Sequence, residues 1–287
     1  MTKQSTLIAA LLLLSLPAFS SVKVLNKGTD RRPIFIGANK SHAPQEIIFN
    51  LKKLVNLKSS HKYTTVRVVI PPKSRKEIVR LWPSQSNAKT SWSYSFNTYT
   101  GNPSATPSNF TYSIPFQSVS AYRVSQSFGG QSTHNNSYSY YAVDIAMPIG
   151  TLIVAARGGK VIAIEQGNIL SGKRKDLLDK ANYIRVLHND GTFADYAHLR
   201  WASIRPRLGS NVKRGQIIGQ SGNVGYSSGP HLHFVLHKNF GGSVRSIPFK
   251  FTSGKPYKEQ ILGPTKVAIK QAEKASEGYA EIRWSDQ

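Results

Sequence analysis

Residues 183–198 read YIRVLHNDGTFADYAH, and this stretch decides the fold class. Tyr183–His188 and Thr192–His198 are rich in β-branched and aromatic residues, and Asn189-Asp190-Gly191 separates them. Asp-Gly accepts the positive φ values of a tight hairpin turn, so the two runs are expected to pair as antiparallel strands. Working outward, Ile153–Ala156, Gly159–Ile164, Gln216–Gly219 and His231–His237 are further short β runs set off by glycine turns. Residues 116–250 therefore read as an antiparallel all-β domain.

Upstream, Pro33–Gly37, Thr64–Ile70 and Ser91–Tyr99 are also β runs, and the last carries Trp92, Tyr94 and Phe96 at period two. A small β-sandwich is expected over residues 21–115, with a weak helical period at Gln45–Leu57. Gly101–Pro115 (GNPSATPSNFTYSIP) is rich in Pro, Ser, Thr and Asn and is expected to be a linker. Residues 251–287 read as a polar tail with one weakly amphipathic helical stretch, Val267–Ala275. The expected fold class is all-β throughout, in two modules.

The chain has 287 residues and is 39% hydrophobic, which excludes wholesale disorder. Lys and Arg number 38 against 14 Asp and Glu, a formal charge of +24 that draws polyanions from a distance. Residues 21–115 hold fifteen of those cations and only three of the acids, so charge density is highest there. The absence of cysteine excludes disulfides, a thiolate zinc site and a cysteine nucleophile. Lys3, the apolar run LIAALLLLSL at 7–16, Pro17 and Ala18-Phe19-Ser20 have the layout of a cleavable secretory signal over residues 1–20. The run falls short of the roughly 20 apolar residues that span a bilayer, and no later run reaches that length. Export to the periplasm or beyond makes an anionic cell-envelope polymer the expected partner and argues against nucleic acid.

The eight histidines carry the chemistry. In Gly229-Pro230-His231-Leu232-His233-Phe234 the two imidazoles stand two apart, so on a strand they share a face while Leu232, Phe234 and Leu236 face the core. Two neutral imidazoles on a rigid strand suit a metal, although a hydrogen-bonded pair has the same spacing. Asp144 lies in the otherwise apolar Tyr141–Pro148, where a carboxylate is costly unless it is paired, bound to a cation or used in a turn or cap. His134 stands ten residues upstream, within reach of Asp144 through a loop. Tyr196 and His198 are expected on one strand face, which turns Asp195 away from His198. His237 is expected to be exposed, and His188 to end a strand. His42 and His61 have no partner in view, and Tyr138, Tyr140 and Tyr141 fit either a groove wall or core packing.

Five blocks then give a resemblance. They are Asp144–Thr151 (DIAMPIGT), Ala155–Val161 (AARGGKV), Tyr196–Leu199 (YAHL), Val212–Gly219 (VKRGQIIG) and Ser228–Phe234 (SGPHLHF). In this order, over roughly residues 120–240, they resemble the lysostaphin/LytM-type zinc metalloendopeptidases of the cell wall, peptidase family M23. The resemblance implies one zinc ion held by His134, Asp144 and His233, with water at the open fourth position. His198 and His231 match the two histidines beside that water, where they share the proton transfers of hydrolysis. The implied activity is hydrolysis of amide bonds in the peptide part of peptidoglycan. A catalytically inactive relative that binds wall or activates another hydrolase is the alternative, but such relatives usually lose ligands and here all five residues are present. A binder of polyanions by charge alone is a third reading.

Three departures accompany the resemblance. Nine residues separate His134 from Asp144, where the family often has three. Val235 stands where a glutamate commonly follows the His-x-His-Phe motif. Gly167–Asn182 (GNILSGKRKDLLDKAN) replaces a tight glycine turn with a charged insertion, which reads as a solvated loop or as part of the groove.

Overall fold

A computed structural model describes residues 22–263. The expected signal at 1–20 and the helical stretch Val267–Ala275 lie outside the described residues.

Seven strands come first: β1 (Val22–Asn26), β2 (Ile34–Asn39), β3 (Gln45–Val55), β4 (Leu57–Ser59), β5 (Thr65–Ile70), β6 (Arg75–Pro83) and β7 (Ser91–Thr100). They form two sheets, ordered β1-β2-β6-β4 and β5-β3-β7. The sheets bury Phe35, Ile47, Phe49, Val66, Ile78 and Leu81 between them. Gln45–Val55 is a strand, not the helix its spacing suggests. A register shift between Leu51 and Lys53 in the β3–β7 ladder inserts an extra residue. Ile47, Phe49 and Leu51 therefore face the core at period two, and Leu54 rejoins them three residues on. That spacing mimics a helical stripe.

The remaining strands are β8 (Thr111–Tyr112), β9 (Phe116–Gln117), β10 (Tyr122–Gln126), β11 (Val143–Ala146), β12 (Leu152–Val154), β13 (Gly159–Glu165), β14 (Ser171–Gly172), β15 (Tyr183–Leu187) and β16 (Phe193–Ala197). They continue with β17 (Asn211–Val212), β18 (Ile217–Gln220), β19 (Gly225–Tyr226), β20 (His231–Asn239), β21 (Val244–Ser246), β22 (Lys250–Phe251) and β23 (Ile261–Leu262). The main sheet runs β17-β13-β15-β16-β20-β11-β10-β23 with β21 on β20, and a smaller sheet, β18-β12-β9, stands beside it. Ile145, Ile153, Ile184, Tyr196, Ile218, Leu232 and Phe234 share one core with them. The β15–β16 hairpin pairs Tyr183 with Ala197 and Leu187 with Phe193 across the Asn-Asp-Gly turn. Among the described residues there is no α-helix, only a 3₁₀ turn at Lys175–Leu177, and no helix long and apolar enough to cross a membrane.

Two segments are more integrated than their composition suggests. Residues 101–115, expected as a linker, place Tyr112 and Ile114 in the core of the second module, and β8 pairs with β22. Residues 251–263, assigned to the tail, supply buried Phe251 and Leu262 to the same core, and β23 pairs with β10. Large apolar side chains decide this, since burying one stabilises by about 1.5–3 kcal/mol and outweighs the turn-like composition around it.

The modules meet at the far end of β20. Glu46, buried on β3, accepts hydrogen bonds from Asn239 Nδ2 at 3.0 Å and from the Gly242 amide at 2.9 Å. Asn239 also donates to the Gly101 carbonyl. Asn239 ends the same strand that His231 begins, so the first module docks at the opposite end from the histidine pair.

Candidate metal centre

Strand register brings the candidate residues together. Asp144 pairs directly with His233 across β11–β20, and His231 pairs with Ala146. On the other side of β20, Ala197 pairs with His233. Side chains of directly opposed residues share a sheet face, so Asp144 and His233 point the same way.

His134 reaches them from the turn after β10. Its ring is fully buried, and its Nδ1 lies 3.0 Å from the Ser127 carbonyl oxygen. A carbonyl only accepts, so Nδ1 carries the proton and Nε2 presents a lone pair. That Nε2 has no hydrogen-bond partner and stands 3.3 Å from Asp144 Oδ2. A buried lone pair facing a carboxylate oxygen is unfavourable unless a metal cation or a second ring proton sits between them. His233 Nδ1 lies 2.8 Å from Asp144 Oδ1. The ligand atoms of His134, Asp144 and His233 all lie within 4.8 Å of one another, and two imidazoles with one carboxylate are donors that zinc accepts.

The electrostatics agree. Burial opposes ionisation of Asp144, but the adjoining imidazoles of His134 and His233 outweigh it and hold the carboxyl well below its usual range. Burial likewise opposes a charge on His134, yet the neighbouring carboxylate raises its basicity overall. Gln126, which the sequence did not single out, donates to Asp144 Oδ2 at 3.1 Å and to Thr133 Oγ1 at 2.7 Å, so it ties the carboxylate to the turn that carries His134.

His198 and His231 stand alongside with ring centroids 4.5 Å apart, and His198 is 6.0 Å from His233. His198 Nδ1 lies 2.7 Å from the Val224 carbonyl and His231 Nδ1 lies 2.8 Å from the Gly229 carbonyl. Both Nδ1 atoms therefore donate, and both Nε2 atoms remain acceptors. Burial, then the nearby His231 and His233, push His198 down to about 3, so it stays neutral near pH 7.

Face assignments on β16 differ from the alternation expected of it. Tyr196 is fully buried, and its hydroxyl accepts from the Ala156 amide. His198 lies beside His231 instead, because the strand ends at Ala197 and His198 adopts φ +62°, which swings its side chain to the other face. Asp195 faces the histidine side rather than away from it. Arg185 donates to Asp195 through Nε at 2.6 Å and Nη2 at 2.7 Å, and Nη2 also donates to the Tyr138 hydroxyl at 2.6 Å. His237 is fully buried, not exposed; its Nε2 donates to the Tyr138 carbonyl at 2.9 Å, and burial pushes it down to about 4. Tyr138 thereby pins the segment bearing His134 onto the sheet. His188 does follow a strand end, but it is buried, with Nδ1 on the Gly158 carbonyl. His61 is exposed and His42 abuts Gly209; neither lies near the centre.

Residues 138–245 match the model of Peptidase family M23. Asp144, His198, His231 and His233 fall inside that stretch, and His134 lies just before it. An uncharacterized metalloprotease of Buchnera aphidicola is 37% identical over 131 residues, covering 44% of this chain and 31% of that relative. Lysostaphin of Staphylococcus simulans is 33% identical over 149 residues, 51% of this chain and 28% of the relative. The peptidoglycan DD-endopeptidase ShyA of Vibrio cholerae is 32% identical over 120 residues, 41% of this chain and 25% of the relative. The chain thus spans about a quarter to a third of the length of these relatives.

Proposed function

We propose that this protein is an exported zinc-dependent endopeptidase that hydrolyses amide bonds in the peptide part of peptidoglycan. The observation that carries the reading is the lone pair of buried His134 Nε2 facing the Asp144 carboxylate beside His233, with two further imidazoles next to them. The match to Peptidase family M23 supports a metal-dependent peptidase, and the Vibrio cholerae relative is by name a peptidoglycan endopeptidase.

His134, Asp144 and His233 would hold one zinc ion, which supplies a Lewis acid and lowers the pKa of water toward neutrality. The chain's own residues do the rest. Tyr138 and Gln126 hold the His134 turn and the Asp144 carboxylate in place. His198 and His231, each with Nδ1 committed to a carbonyl, keep Nε2 available to take a proton from the attacking water and return it to the departing amine. A histidine that has gained that proton also stabilises negative charge developing on the carbonyl oxygen. The excess positive charge holds the enzyme on an anionic envelope polymer, with a strong dependence on salt.

The test is incubation of the mature protein with purified wall sacculi, with and without chelator, with released fragments identified by mass. Zinc-replete protein is expected to release peptide fragments, and the chelated protein none. Stoichiometric zinc without fragment release would overturn the endopeptidase reading, and protein without stoichiometric zinc would favour the inactive relative.

A further inference from the structure

The insertion at residues 167–182 has no role in the reaction as proposed, yet it is built into the structure. Strand β14 pairs in parallel with β19, matching Ser171 with Gly225 and Gly172 with Tyr226. The Gly225 amide donates to the Leu170 carbonyl at 2.7 Å, and the Ser227 amide to the Gly172 carbonyl at 3.3 Å. Leu177, in the 3₁₀ turn, is buried. At the other end of the insertion Ala181 closes on Gly225, which has φ +91°, so tightly that a Cβ there would meet the Ala181 amide nitrogen at 2.7 Å.

Asn182 closes the neck of the insertion and is fully buried. Its Oδ1 accepts from the Asn168 amide at 3.0 Å, and its Nδ2 donates to the Asn168 carbonyl at 2.8 Å. The same Nδ2 donates to the Leu199 carbonyl at 3.3 Å, and the Leu199 amide donates to the Asn182 carbonyl at 3.1 Å. Leu199 directly follows His198, whose φ of +62° is a strained conformation for a residue with a Cβ and persists only where its surroundings hold it.

The partners of both assisting histidines lie on the segment that the insertion grips. Val224 and Gly229, whose carbonyls take the Nδ1 protons of His198 and His231, flank the two amides held by Leu170 and Gly172. We infer that residues 167–182 are a brace that positions His198 and His231 and sets their tautomers, with Asn182 as its anchoring residue. This rests on the endopeptidase reading only for the task of the two histidines. The exposed tip, including Ile169 and Leu170, lies outside the brace's hydrogen bonds apart from the Leu170 carbonyl. A wall that contacts substrate would act through those side chains instead.

Imidazole nitrogen NMR on the full chain reads tautomers without requiring turnover. In the parent protein His198 and His231 are expected as Nδ1–H tautomers, and Nε2–H at His198 would overturn the brace. Asn182→Ala is expected to give a mixed His198 tautomer, to lower kcat about 10- to 100-fold and to leave KM within about twofold. Chelator competition is expected to show its zinc affinity unchanged. Ile169→Ala with Lys173→Ala is expected to leave kcat and KM unchanged. The brace is overturned if Asn182→Ala keeps the parent tautomer, if it weakens zinc affinity as much as kcat, or if the tip variant raises KM. Should Asn182→Ala not fold, Leu177→Ala removes buried apolar surface but no hydrogen bond and is expected to act in the same direction to a smaller extent. An unchanged tautomer there overturns the brace equally. A parent protein that cleaves no peptidoglycan defeats the endopeptidase reading but leaves the tautomer result to decide the brace.

Discussion

The two modules are both β structures with apolar interiors, but they treat buried polar groups differently. In the first, Asn39 is buried and donates to the carbonyls of Ala43, Ile70 and Pro71, and Glu46 is satisfied by Asn239 and the Gly242 amide. In the second, His134 Nε2, His188 Nε2 and His237 Nδ1 are buried without partners, and all the unpaired buried side-chain nitrogens among the described residues belong to this module. An interior built for stability satisfies its polar atoms, whereas an interior built for chemistry leaves some aimed at what it will bind. Of the three, His134 Nε2 is the one that faces Asp144 and His233, and the first module docks at the far end of β20 from them.

The sharpest way to break that contrast is Asp144→Ala. It is expected to lower peptidoglycan release by about 10³-fold or to background and to abolish stoichiometric zinc, measured by fragment mass analysis and metal content. Retained zinc would show that the Asp144 carboxylate is not one of the groups that hold the ion. Phe49→Ala acts on the other side of the comparison. It is expected to cost about 3–5 kcal/mol in urea denaturation, through lost burial and the cavity left behind, with zinc content per folded molecule unchanged. Acidification is expected to fall on the second module. Burial pushes His188 down to about 4, so the unfolded chain takes up its proton first, and stability present above about pH 6.5 is lost as pH falls toward 4. The loss amounts to as much as about 3 kcal/mol, and His188→Asn is expected to flatten the thermal-melt profile over that window. The smallest effect is that of Tyr138→Phe, which takes the hydroxyl from Arg185 and Asp195. It is expected to weaken zinc binding about tenfold in chelator competition while leaving the fold intact, and an unchanged affinity would separate this buried network from the metal centre.

Local chemistry made part of this legible. The Asn-Asp-Gly hairpin was readable because a turn depends on the conformational reach of two or three adjacent residues. The shared face of His231 and His233 was readable because side chains on a strand alternate strictly. The same rule misplaced His198, since it holds only while the strand continues and a positive φ after Ala197 ends it. It does set Asp195 on the face opposite Tyr196, and that is the histidine face because His198 has turned away from Tyr196. The bulge in β3 imitated a helical period, and the role of Gln126 had no signal in its own neighbourhood.

By itself the sequence determined the all-β class, the hairpin, and which residue types were available to bind a metal or move a proton. These follow from backbone preferences and side-chain chemistry over a few consecutive residues. Only the tertiary structure decided that Asp144 stands opposite His233, that His134 turns Nε2 toward them, and that a charged insertion pairs with the segment whose carbonyls meet His198 and His231. Such placements depend on cross-strand register and on loops closed over long separations in the chain, where the free energy belongs to the assembled fold and not to any one stretch of it.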